Sequence, residues 1–206
     1  MLTLKEAIEQ RRSIRKFKPD PVPEECIAAL LDAARLAPSG CNAQPWRFKV
    51  VTDREMKLHL AHAAYQQSFI GSAPVVVVCC ADIRGYVDGT LSGIQDLGKI
   101  GAVDEHVIEI LQKRSEQMDL QMKVMSRDQL GSRIAFNVAI AVEHMVLRAL
   151  DFGLGSCWIR LIDEQAVRDI FGWDENRFIV ALLPVGYPAE APAPRKRLSL
   201  EDIVIK

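Results

Sequence analysis

The sequence has no excess of charge of either sign: 26 Lys and Arg stand against 27 Asp and Glu, a formal net charge of -1. A bulk attraction to nucleic acid or to an anionic membrane is therefore not expected. There is no Cys-x-x-Cys pair, and the cysteines (Cys26, Cys41, Cys79, Cys80 and Cys157) are odd in number. That argues against a disulfide framework and makes a reducing cytosol the expected compartment. The chain lacks a Gly-Lys-Ser/Thr phosphate loop and a Gly-x-Ser-x-Gly elbow, and Glu143-His144 lacks the second histidine of a metalloprotease helix. His59 and His62 could share a helix face, but no Cys, Asp or Glu cluster joins them, so no metal site is expected. His106 is isolated. A long uninterrupted apolar run is also missing. Residues 134–150 come nearest, but Asn137, Glu143, His144 and Arg148 interrupt them, and the stretch reads as too short and too polar for a membrane span. Residues 1–12 carry charges throughout and do not read as a secretory leader.

What is there fits one globular domain of 206 residues, 49% hydrophobic and 26% charged. Thr3 and Glu6 have capping-box spacing, which predicts a helix over 4–11. Pro23 can open a second helix, with Ile27, Leu30, Leu31, Ala34 and Leu36 at helical spacing, ending before Pro38. Residues 39–45 are turn-rich, 46–52 alternate like a strand, and 53–69 read as a helix. Residues 74–81 form a β-branched run expected to be a buried strand, in which Cys79 and Cys80 are inert core thiols. The stretch 82–127 is less regular, an excursion from the core with a helix over 104–125. Ser126 and Gln129 repeat the capping-box spacing, and a long helix follows to about residue 151, with Gly153 at its left-handed end. Strands are expected at 156–160 and 178–185, with a helix over 164–171 between them. Pro184, Pro188, Pro192 and Pro194 stiffen the last segment into an extended arm, about 188–206, suited to lie over another surface.

Four groups of residues could carry chemistry. Arg11, Arg12, Ser13 and Arg15 put three guanidiniums and a hydroxyl within five residues, and guanidinium forks grip phosphate oxygens in pairs. In an extended segment Arg11, Ser13 and Arg15 project to one side. The alternative is a solvated basic face. Next comes Pro38-Ser39-Gly40-Cys41-Asn42-Ala43-Gln44-Pro45-Trp46. Gly40 permits close backbone approach, and Asn42 and Gln44 offer the donors and acceptors that a flavin or nucleobase edge requires. Trp46 would be a flat wall, or simply core. The third group, Gly153-Leu154-Gly155-Ser156-Cys157-Trp158, lacks the third glycine of a dinucleotide fingerprint and leaves a helix rather than entering one, so that reading is rejected. Last, Arg195-Lys196-Arg197 on the stiff arm could complete a phosphate site or be a charged tail.

In this order and spacing the segments resemble the nitroreductase family. The match runs through Arg11-Arg12-Ser13-Ile14-Arg15-x-Phe17, Ala37-Pro38-Ser39-Gly40-x-Asn42-x-Gln44-Pro45-Trp46, Gly153-Leu154-Gly155-Ser156-Cys157-Trp158, Pro184-Val185-Gly186-Tyr187-Pro188 and Arg195-Lys196-Arg197-Leu198. The resemblance implies an α+β fold, a mixed sheet flanked by helices around a long central helix. It implies an intertwined homodimer with FMN at the subunit interface and NADH or NADPH as transient electron donor. By the same resemblance Arg11, Arg12, Ser13, Arg15, Arg195 and Arg197 would hold the phosphate, and the first segment would also reach the pyrimidine edge of the flavin. Pro38, Ser39, Gly40 and Asn42, with Gln44 beside them, would approach from the partner subunit. Leu154, Gly155 and Ser156 would line the ring, and Gln66 or Gln67 would reach it. Residues 134–150, with Ala135, Ala139 and Ala141, would form the buried dimer core. The implied reaction passes hydride to a small electron-poor acceptor, a nitroaromatic or quinone, in ping-pong fashion. No residue stands out as a proton donor, and no catalytic side chain is assigned. The alternatives are reductive dehalogenation or flavin cleavage on the same fold, an FMN-binding protein that does not turn over, and a helical scaffold without cofactor. The 82–127 region is expected to select the acceptor.

Overall fold

The computed structural model describes residues 2–205, the side chains of residues 118, 119, 121 and 122 excepted. Helix α1 spans Leu4–Gln10 and α2 Glu24–Arg35; strand β1 spans Trp46–Val51 and α3 Arg54–Ala63. A short α4, Ser68–Ser72, leads into β2, Val75–Asp82, and then α5, Ile83–Lys99, and α6, Glu105–Met122. The long α7, Arg127–Ala149, is followed by β3, Gly155–Ser156, α8, Glu164–Phe171, β4, Arg177–Gly186, and the short α9, Leu200–Ile203.

The capping boxes are made as the sequence predicts: Thr3 with Glu6 opens α1, and Ser126 with Gln129 opens α7. Pro23 precedes α2, and Gly153 closes the α7 end at φ 67. Three expectations need correction. The strand expected over 156–160 is only β3, Gly155–Ser156, with an isolated bridge at Ile159, because its regular pairing with β4 lapses between them. Residues 53–69 are not one helix, because Tyr65 and Gln66 take positive φ, 54 and 63, and break it into α3 and α4. The excursion over 82–127 is far more regular than its composition suggests, because α5 fills its first half.

The sheet runs β1-β2-β4-β3, with every strand pair antiparallel. Its mixed character rests on one parallel bridge, Ser13 with Ser156. Strand β2 is buried along its whole length and alternates between two cores. Val75, Val77, Cys79 and Ala81 face α2 and α7, whereas Val76, Val78 and Cys80 face α3, α4 and α8. On β4 the alternation changes phase: Phe178 and Val180 face the first core, as do Leu183 and Val185. The register shift between Cys79 and Cys80 is the cause, since a bulge inserts one residue and re-aims those that follow.

Helix α7 is the centre of the first core. Ile134, Val138, Ala141 and Met145 recur at helical spacing and are buried. The stripe expected at a dimer core thus divides: Ala141 belongs to the chain's own core, whereas Ala135 and Ala139 are half-buried. With its 3-10 extension, residues 127–152, this helix is long and apolar enough by length and composition to cross a membrane, more so than its sequence suggests. Its inner face is nonetheless spent on the sheet and α2. Trp46 is core, and the arm beyond residue 190 is exposed.

Candidate functional site

Residues 11–17 leave α1 extended and run beside the sheet. Ile14 donates its N–H to Ser156 O at 2.9 Å, and Lys18 donates to Tyr187 O at 2.8 Å. Ala189 N–H in turn reaches Lys16 O, and the Glu190 carboxylate accepts the N–H groups of Arg15 and Lys16 at 2.6 and 3.1 Å. The segment is therefore fixed on both sides by backbone bonds. Its side chains must alternate. Along such an extended segment Arg11, Ser13 and Arg15 share one side, and Arg11 Nε stands 3.8 Å from the Glu143 carboxylate of α7. Burial pushes the Cys157 thiol up; the charge of Arg15, the Ser13 hydroxyl and the charge of Arg11 draw it down, and Glu190 opposes them.

Arg12 turns the other way. Its guanidinium donates to Glu9 O and Arg11 O, each at 2.8 Å. With Ile14, Leu154, Gly155 and Pro188 it lines a separate open cavity of about 420 Å³. The six residues expected at one phosphate are thus divided. Arg11, Ser13 and Arg15 share one side of the extended segment, Arg12 faces away, and Arg195 and Arg197 lie on the exposed arm. Among the described residues Arg197 bonds only to the carbonyls of Arg195 and Lys196, at 3.4 Å. Leu154 and Gly155 lie on the Arg12 side, and Ser156 is buried in its pairing with β4.

The Pro38–Gln44 stretch is a tight turn in which Cys41, Asn42 and Gln44 hold positive φ, 49, 53 and 47. Such backbone costs about 1–3 kcal/mol per residue and persists only where the surroundings impose it. Two supports impose it here. Asn137, wholly buried on α7, accepts the Gly40 N–H at 3.0 Å. On the other side α5 presses glycines against the turn: a Cβ at Gly93 would stand 1.5 Å from Cys41 O, and one at Gly89 2.4 Å from Ala43 O. The result holds Asn42 and Gln44 exposed, with Gln44 Nε2 donating to Asn42 Oδ1 at 3.1 Å. Among the described residues no hydrogen bond or ion pair joins this turn to Arg11, Ser13 or Arg15.

Gln66 and Gln67 lie in the break between α3 and α4. Gln66 bonds the His62 ring at 2.7 Å and is exposed; Gln67 donates to Ala64 O and to Leu161 O, at 2.9 and 3.2 Å. Leu161 belongs to the segment that begins at Ser156 and Cys157, so this strip leads from the arginine array to the glutamines. In the sequence Glu190, Gly89 and Gly93 go unremarked, Cys157 reads only as an inert core thiol, and Asn137 only as a break in an apolar run. Only the glycines left a signal, since Gly85, Gly89 and Gly93 recur every four residues and so share one helix face.

The family model described as "Nitroreductase family" matches residues 8–187. A Thermus thermophilus protein named NADH dehydrogenase is 33% identical over 205 residues, covering 100% of this chain and 96% of that one. A Bacillus subtilis FMN reductase [NAD(P)H] is 25% identical, over 96% of this chain and 70% of its own length. An Exiguobacterium sibiricum structure solved in complex with FMN shares the fold, with TM-score 0.79 and 23% identity over 100% of this chain and 98% of that one.

Proposed function

Since this chain belongs to the nitroreductase family, we propose that it is an FMN-dependent oxidoreductase that takes hydride from NADH or NADPH and passes it to a small electron-poor acceptor. The observation that carries the reading is the basic segment 11–15 held extended beside β3 by the Ser13–Ser156 bridge, so that Arg11, Ser13 and Arg15 share one side. Two guanidiniums and a hydroxyl that can donate suit a phosphate dianion. The names of the relatives, an NADH dehydrogenase and an FMN reductase, point the same way.

FMN, when bound, supplies the two-electron chemistry, and the protein supplies position and charge. Arg11, Ser13 and Arg15 would hold the phosphate, and the positive charge of Arg11 or Arg15 would favour negative charge on the ring. Arg195 and Arg197 on the arm complete the phosphate site. Gln66 or Gln67 serves the polar edge of the ring. Pro38, Ser39, Gly40, Asn42 and Gln44 come from a second copy. Arg12, Leu154, Gly155 and Ser156 buttress the segment from its other side. Donor and acceptor use one face in turn, as a ping-pong scheme requires, and no side chain is assigned as a proton donor. The five free cysteines suit a reducing compartment, and a cytosolic setting is proposed.

The homodimer rests on apolar surface left open. Phe136 and Ile140 on the outer face of α7, Leu4 and Ile8 on α1, and Leu36 are exposed, as are Leu198, Leu200, Ile203 and Val204 on the arm. So much apolar surface marks an interface. A visible spectrum of the purified protein tests the function. A flavin band that bleaches on anaerobic addition of NADH or NADPH is the expected result; failure to take up added FMN overturns the reading. A flavin band that persists with both nucleotides favours a flavin binder that does not turn over.

A further inference from the structure

Helices α5 and α6 close a second cavity, of about 190 Å³, against Gly40 and Cys41 of the strained turn. Tyr86 and Ile94 reach it from one face of α5, and Leu111, Arg114 and Ser115 from one face of α6. Tyr86, Ile94 and Ser115 are buried or nearly so, and Arg114 is exposed at the rim.

The charge at that rim is uncompensated. Among the described residues Arg114 has no ion pair or hydrogen bond. Its neighbours at helical spacing, Ile110, Leu111 and Gln117, carry no negative charge. On α5, Asp88 and Asp96 are exposed and lie two residues beyond Tyr86 and Ile94, on the opposite side of the helix. The Ser115 hydroxyl also makes no hydrogen bond among the described residues. Besides its apolar walls the cavity is lined by Tyr86, by Thr90, whose hydroxyl donates to Tyr86 O at 2.7 Å, and by Ser115, with one guanidinium at the rim that is unpaired among the described residues. Its size suits one aromatic ring with a substituent, since a dry apolar cavity of roughly 150 Å³ takes up benzene. A guanidinium fork matches a carboxylate in a two-point contact.

We propose that this cavity binds a small aromatic carboxylate, the ring between Tyr86, Ile94 and Leu111 and the carboxylate on Arg114. That the bound molecule is the electron acceptor rests on the function proposed above; that the cavity binds it does not. Calorimetric titration of the purified protein with benzoate and with its neutral analogue benzamide separates the two. Benzoate is expected to bind at least about tenfold more tightly. Arg114→Ala should abolish that preference, Arg114→Lys should keep part of it, and Ile94→Trp, which fills the cavity, should weaken both ligands. In turnover, the ratio of kcat/KM for 4-nitrobenzoate to that for nitrobenzene should fall about tenfold in Arg114→Ala. Equal binding of benzoate and benzamide, or a preference that survives Arg114→Ala, overturns the site. If Arg114-dependent benzoate binding is seen but the bound flavin does not bleach with NADH or NADPH, the proposed reaction fails and the binding site stands.

Discussion

At the scale of single residues, alternation of side chains along one extended segment decides which arginines matter. Arg11, Ser13 and Arg15 share one side of the segment paired to Ser156, whereas Arg12 is tied to backbone carbonyls on the other. A charge-assisted hydrogen bond contributes about 1.5–3 kcal/mol, roughly a ten- to hundredfold change in affinity. Arg15→Ala is therefore expected to raise the Kd for FMN about tenfold or more, and Arg12→Ala much less, measured by flavin fluorescence quenching on refilled apoprotein. Equal losses would mean that alternation does not sort the three arginines. A second residue makes a prediction about pH. Burial favours the neutral form of Asp82, but the Gly85 N–H, Asn176, Arg177 and Arg47 together outweigh it and hold the carboxyl below its ordinary 3.8. The folded state then binds fewer protons than the unfolded one, so this stabilisation is present above about pH 4 and fades as pH falls through the lowered value. Asp82→Asn should lower the thermal midpoint at pH 7, and its gap to the parent protein should narrow below pH 4.

At the scale of elements, the contact between α5 and the Pro38–Gln44 turn is the most exacting in the chain. No side chain fits at Gly93, since its Cβ would overlap Cys41 O. Overpacking of this kind costs about 1–3 kcal/mol, and here it would also push the turn from its positive-φ geometry. Gly93→Ala should lower the thermal midpoint by several degrees and reduce FMN retention, whereas Gly101→Ala, strained at φ 67 but meeting open space, should cost some stability and leave FMN retention as it was. The same element shows where the sequence was legible. Caps, breakers and β-branched runs are local signals, and they placed α1, α2, α7, α8, β2 and β4. Helix α5 escaped because Gly85, Gly89, Gly93 and Gly98 lower its intrinsic helix preference, and the packing that repays them is tertiary. The break at Tyr65 and Gln66 escaped for a related reason: no Gly or Pro marks it, and its conformation is imposed by partners such as Leu161 O, 94 residues from Gln67. Within the candidate site, residue types and order could be read from the chain. Which face each side chain takes could not, because that depends on the pairing of residues 13–18 with Ser156 and Tyr187.

At the scale of the whole molecule, the chain leaves its parts of the proposed FMN site apart. The arginine array lies beside β3, the Asn42 turn is held between α5 and α7, and Arg195 and Arg197 are on an arm that makes few contacts beyond residue 190. In the proposed homodimer a second copy supplies the turn, and the exposed apolar residues of α1, α7 and the arm give it somewhere to bind. If that is how the site forms, cofactor binding and dimerisation are one equilibrium seen in two ways. Ile140 is suited to test this, because it lies on the outer face of α7 and is absent from either core. A charge there costs little in a monomer but is left desolvated inside an interface. Ile140→Glu is therefore expected to shift the mass measured by light scattering from twice 23.0 kDa to one chain, and to release FMN in proportion, with the monomer still folded by circular dichroism. Retention of FMN by a monomeric variant would show that one chain completes the site alone, and the assignment of the Pro38–Gln44 turn to the partner would then fall.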